Sequence, residues 1–115
     1  MSVTIYHNSR CSKSRQTLAL LEEKGIEPEV VEYLKTIPDV AIVQNLLTML
    51  NLAPRELMRK GEAAYNENNL ADDSLSDEQL IKAMVENPIL IERPIVVSNG
   101  KAAIGRPPES VLDIL

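Results

Sequence analysis

Cys11 is the only cysteine of the chain, and it stands between Arg10 and the run Ser12-Lys13-Ser14-Arg15. A thiol attacks as its thiolate, and its pKa falls from about 8.5 toward roughly 3.5–7.5 beside cations or at a helix N-terminus. Both settings are legible here. Val3-Thr4-Ile5-Tyr6 is a β-branched and aromatic run that reads as a buried strand, His7-Asn8-Ser9-Arg10 reads as a polar turn, and a helical pattern begins at about Ser12. Cys11 is therefore expected at the mouth of that helix, where unpaired backbone N–H groups and the helix dipole favour an anion. Arg10, Lys13 and Arg15 add positive charge, Ser12 and Ser14 carry hydroxyls able to donate to a thiolate, and His7 on the same turn would assist when protonated. The competing reading is an inert, buried core cysteine. Such a cysteine wants an apolar run around it, and this one has charged and hydroxyl neighbours.

Three arginines form a second candidate set. Arg93 precedes Pro94 at a strand entrance, Arg106 lies between Gly105 and Pro107, and Arg59 closes a short helix before Gly61. Taken singly, each reads as a surface arginine. Converging near Cys11 they would make an oxyanion clamp, since guanidinium forks match tetrahedral oxyanions in bidentate fashion. One Cys and one His fall short of the three or four ligands a zinc-type centre needs, so no metal is expected. Glu22-Glu23 and Asp72-Asp73 read as solvated charge and not as an acid/base pair.

The elements that must position these groups follow from patterning. Leu18 and Leu21, flanked by Leu20, give the first helix an apolar face, and Gly25 suits its C-terminal end. Residues 29–34 read as a second strand, which completes a βαβ unit with parallel strands. Thr36-Ile37-Pro38-Asp39 predicts a helix start with a capping hydroxyl, carried on by Val40, Val43, Leu46, Leu47 and Leu50 to a stop at Asn51. Pro54 opens a short helix through Arg59, and the polar stretch 62–73 reads as a short helix and loop. Ser76 with Gln79 is a capping box for a helix bearing Leu80, Ile81, Met84 and Val85. Residues 95–104 predict a hairpin turning on Asn99-Gly100, and Pro107-Pro108 starts a last helix. The sum is an α/β domain with a four-stranded mixed sheet and a helical insertion between strands 2 and 3.

Composition narrows the classes. At 115 residues the chain is expected to be a single domain, residues 1–115. It has no Trp or Phe, only three Tyr and a formal charge of −5, so stacking platforms are nearly absent and there is no general attraction for nucleic acid or an anionic membrane. No apolar run approaches the roughly 20 residues of a bilayer span. No signal peptide is evident at the N-terminus, and one unpaired cysteine suits a cytoplasmic, reducing setting.

Three separated segments resemble the glutaredoxin-coupled arsenate reductase family: residues 7–15 (HNSRCSKSR), residues 87–97 (NPILIERPIVV) and Gly105-Arg106-Pro107. The similarity spans essentially the whole chain, and the Cys-Ser-Lys-Ser form is closest to small arsenate-reductase-like bacterial proteins. The resemblance implies a thioredoxin-like fold in which Pro94 carries a cis peptide bond beside the cysteine. It implies that Cys11 attacks arsenate held by Arg59, Arg93 and Arg106, with His7 and Ser14 stabilising the thiolate and Ser12 and Lys13 supplying an anion-facing turn. No cofactor is bound on this reading. Glutathione is the co-substrate and glutaredoxin the partner that removes it, which agrees with a single thiol that cannot form an internal disulfide. Ser9-Arg10 and Ser12-Lys13 depart from the Pro-Ala and Gly-Thr pairs of the best-known arsenate reductases. Two alternatives stay open: another glutathione-linked thiol oxidoreductase acting on a different oxyanion or a protein mixed disulfide, and a regulatory relative that binds RNA polymerase. Such regulators usually carry Cys-x-x-Cys, and Ser14 stands at the second position here.

Overall fold

A computed structural model describes residues 2–115. The chain forms two compact units, Met1–Thr36 with Arg93–Leu115, and Ile37–Glu92. The first holds the sheet. Strand β1 (Val3–His7) lies beside β2 (Glu29–Glu32), then β3 (Ile95–Ser98) and β4 (Lys101–Ile104) follow, in the order β2-β1-β3-β4. β1 and β2 are parallel, with Thr4 opposite Glu29 and His7 opposite Glu32, while β3 is antiparallel to both β1 and β4. The sheet is therefore four-stranded and mixed, as patterning predicts.

Alternation along β1 buries Val3, Ile5 and His7 on one face. Val3 and Ile5 join Leu21 of helix α1 (Ser12–Glu23), Val96 and Val111 in the core of this unit, with Leu18, Leu20 and Ile26 packed against it. Helix α1 ends in a Schellman arrangement: Gly25 takes φ +76°, its N–H bonds Glu22 O at 3.0 Å, and Ile26 N–H bonds Leu21 O at 3.0 Å. The hairpin turns with positive φ at both Asn99 (57°) and Gly100 (73°), as the Asn-Gly pair predicts.

Several features differ from the sequence-based expectation. β1 runs one residue past Tyr6 and takes in His7, which the sequence assigns to the polar turn. β2 stops at Glu32 because Lys35 and Thr36 both donate their N–H to Glu32 O, at 2.9 and 2.8 Å, which turns the chain before Leu34. The final segment, Pro108–Ile114, is a 3₁₀ helix and not an α-helix. In the second unit, helix α2 (Val40–Leu50) is capped by Asp39, whose Oδ1 accepts from Ile42 N–H at 2.9 Å, and not by Thr36. Helix α3 (Pro54–Leu57) ends two residues before Arg59, since Met58 leaves the helix to form an antiparallel bridge with Ile91.

The remaining helices of that unit are α4 (Ala63–Glu67) and α5 (Asp77–Glu86). The capping box at α5 is formed, with Gln79 N–H on Ser76 Oγ at 3.2 Å and Ser76 N–H on Gln79 Oε1 at 2.8 Å. Arg55 organises the polar stretch after α4: Nη1 donates to Tyr65 OH (2.9 Å) and to Leu70 O, and Nη2 donates to Asp72 O (3.0 Å). Among the described residues no helix is long and apolar enough to cross a membrane.

Candidate active site

Cys11 occupies the N-cap of α1 with extended backbone angles (φ −93°, ψ 124°). The turn ahead of it is built from its own polar groups. Cys11 N–H bonds Asn8 O at 3.0 Å, Arg10 N–H bonds Asn8 Oδ1 at 3.0 Å, and the Arg15 guanidinium reaches back to Ser9 O at 2.9 Å. This is the local reason a polar run between strand and helix sets a cysteine at a helix mouth.

Cys11 is buried, only 8% exposed as a residue, but the neighbours of its sulfur are polar. Sγ closes no side-chain cap hydrogen bond of the helix, yet the N–H groups of Ser14 and Lys13 face it and favour its anion. Arg106 Nη2 lies 3.6 Å from Sγ, and the same guanidinium donates from Nε to Arg93 O at 2.9 Å. Burial alone pushes the Cys11 thiol up. The backbone donors of Ser14 and Lys13 and the charges of Arg93 and Arg106 outweigh it, and the thiol sits below its ordinary value of 9.0. The reading of Cys11 as a sulfur sealed in aliphatic packing does not fit these neighbours.

His7 and Ser14 are brought together, Nδ1 lying 2.7 Å from Oγ, and Ser14 Oγ also accepts the Asn8 N–H at 3.0 Å. Two expectations change here. The Ser14 hydroxyl is engaged by His7 and Asn8, so Ser14 faces the sulfur through its backbone N–H. His7 is only 6% exposed, and its burial, with the nearby charge of Arg15, pushes its pKa below 6.5 against the opposing pull of Glu32. Neutral imidazole is favoured, and a protonated helper is not.

Arg93 and Arg106 share the unit of Cys11. The Arg93–Pro94 peptide bond is cis, and so is Arg106–Pro107, which nothing in the sequence signalled. Arg59 belongs to the other unit. There its N–H bonds Leu90 O at 2.7 Å and its guanidinium pairs with Glu62 and, at 3.7 Å, with Glu92.

Gly105, named in the sequence only as the neighbour of Arg106, has a packing role of its own. Its N–H bonds Pro94 O at 2.9 Å, and a Cβ on it would lie 2.7 Å from Pro94 Cγ and would also press on Thr17 of α1. A glycine here lets the chain after β4 come against Pro94 and α1, and so carries Arg106 to the sulfur. The available signal was a glycine between a strand and an Arg-Pro pair.

Comparison with known proteins identifies the family. Residues 6–114 match the ArsC family. An uncharacterized protein of Escherichia coli strain K12, YfgD, is 64% identical over 114 residues, covering 98% of this chain and 96% of that one. A protein of Haemophilus influenzae named arsenate reductase is 50% identical over 116 residues and covers both chains in full (100%). The solved structure of an arsenate reductase from Vibrio cholerae superposes with a TM-score of 0.98 at 58% identity, covering 100% of this chain and 98% of that one. With a thioredoxin-like α/β fold and a family match along nearly its whole length, the chain belongs to the ArsC family.

Proposed function

We propose that this protein reduces arsenate to arsenite through the Cys11 thiolate, with glutathione and glutaredoxin supplying the electrons. The single observation that carries the reading is the buried sulfur at the N-cap of α1 with a guanidinium nitrogen of Arg106 at 3.6 Å, a setting made for one anion beside another. Relatives named arsenate reductases at about half identity supply the substrate class.

The thiolate attacks arsenic, an S–As bond forms, and one arsenate oxygen leaves as water. Glutathione displaces a second oxygen, again as water. A glutaredoxin thiolate then attacks the glutathione sulfur; the new S–S bond forms, the As–S pair stays on arsenic, and arsenic(V) becomes arsenic(III). Hydrolysis of the remaining Cys11–arsenic bond returns the thiol and releases arsenite. Atoms and electrons balance with two external thiols, as a chain with one cysteine requires.

Arg93 and Arg106 are assigned to the oxyanion, with Arg59 added from the family resemblance, and His7 and Ser14 to the thiolate. A reducing, cytoplasmic setting suits the free thiol. The test is arsenate-dependent NADPH consumption in the presence of glutathione, glutaredoxin and glutathione reductase. Turnover that disappears in Cys11→Ser is the expected result. Absence of turnover with active glutaredoxin sinks the arsenate reading; a reactive Cys11 would then indicate another oxyanion or a mixed disulfide as substrate, and recovery of RNA polymerase with the protein a regulatory role.

A further inference from the structure

A small cavity of about 190 Å³ adjoins the turn that precedes Cys11, and its lining includes His7, Asn8, Arg10, Glu32 and Lys35. Glu32 is the residue opposite His7 in the parallel β1–β2 register. Paired strands run about 4.8 Å apart and matched residues leave the same face, so the carboxylate and the imidazole border the same space. Glu32 is itself tied to Lys35, with Nζ to Oε1 at 3.6 Å.

A neutral imidazole has one N–H, and its position decides what the other nitrogen does. Nδ1 of His7 is taken by Ser14 Oγ, so Nε2 is the ring nitrogen left to respond to the Glu32 charge, which acts on the ring through space and not through a hydrogen bond. We propose that Glu32 is a positioning residue that keeps the His7 proton on Nε2, so that Nδ1 accepts the Ser14 hydroxyl and locks the first turn of α1 under the sulfur. The Ser14 oxygen then gives its proton to Nδ1 and takes the Asn8 N–H on a lone pair, which accounts for both contacts with one proton arrangement. In the other tautomer Nδ1–H would donate to Ser14 Oγ, and the hydroxyl proton would need a different acceptor.

The charged groups around the ring are Glu32 from β2, Arg15 from α1, and Arg10 and Lys35 along the cavity wall. Glu32 is the group that favours positive charge on the ring, and Arg15 opposes it. The inference rests on the thiolate reading only for its consequence, because the tautomer is measured without turnover.

His7 is the only histidine, so its ring ¹⁵N signals assign themselves. In the native full chain at pH 8, NMR should show protonated Nε2 and bare Nδ1. Glu32→Gln should bring in the Nδ1–H form and lower the His7 titration midpoint, while Lys35→Gln should keep the native tautomer. A native Nδ1–H form, or a Glu32→Gln variant with unchanged ring signals and midpoint, overturns the proposal. Cys11 alkylation in the same samples reports separately: a normal thiol titration with Nε2–H intact removes the thiolate reading and leaves the Glu32 assignment standing.

Discussion

Cys11, Arg106 and His7 differ in what their neighbours do to charge. Arg106 holds Sγ at 3.6 Å with one nitrogen while another is anchored on Arg93 O, so the charge is fixed and not merely nearby. Arg106→Ala should raise the Cys11 pKa and slow its alkylation several-fold at pH values below the midpoint. Arg106→Lys should recover only part of that, because an ammonium cannot make both contacts. His7 gives the opposite lesson. Its folded pKa lies below 6.5, so the unfolded chain takes up a proton that the folded one resists, and stability should fall as pH drops below 6.5. Urea melts at pH 7.5 and 5.5 would show this loss, and His7→Asn should flatten it. The cysteine and its cations were legible because residue type and adjacency carry that information. The state of His7 was not, since it depends on burial and on Glu32 and Arg15, groups that only folding brings to one ring.

At the scale of elements, local chemistry was legible where it is contained in four or five residues. Ser76 with Gln79 and Asn99 with Gly100 behave as their spacing predicts. Boundaries that depend on long-range pairing were not: Met58 leaves α3 for Ile91, far along the chain, and this moves Arg59 off the helix. The cap of α2 shows a nearer competition, in which Asp39 sits directly before the first helical residue and Thr36 stands too early to reach its N–H groups. Ser76→Ala and Asp39→Ala should each cost about 1 kcal/mol in urea unfolding. Thr36→Ala should cost nothing comparable, and an equal loss there would contradict the assignment of the cap.

For the molecule as a whole, the order of strands and helices followed from the alternation of apolar patterns, and the mixed sheet follows from that order. The second unit, Ile37–Glu92, is the helical insertion that the sequence places between strands 2 and 3; that it forms a compact unit of its own was not legible, because no linker composition marks residue 36 or 93. In the sheet unit, Leu21 is fully buried against Val3, Ile5, Val96 and Val111. Leu21→Ala should cost about 2–5 kcal/mol, read from the denaturant midpoint. A chain with a charge of −5 has no general pull on anions, so an anion site in it depends on the local cations beside Cys11.

The most direct test of the account is the rate of Cys11 alkylation by iodoacetamide in the native protein, followed from pH 5 to 10. The ionised sulfur at the head of α1 predicts a midpoint clearly below the ordinary thiol value of about 8.5, displaced upward in Arg106→Ala. A midpoint at or above about 8.5, indifferent to Arg106, contradicts it.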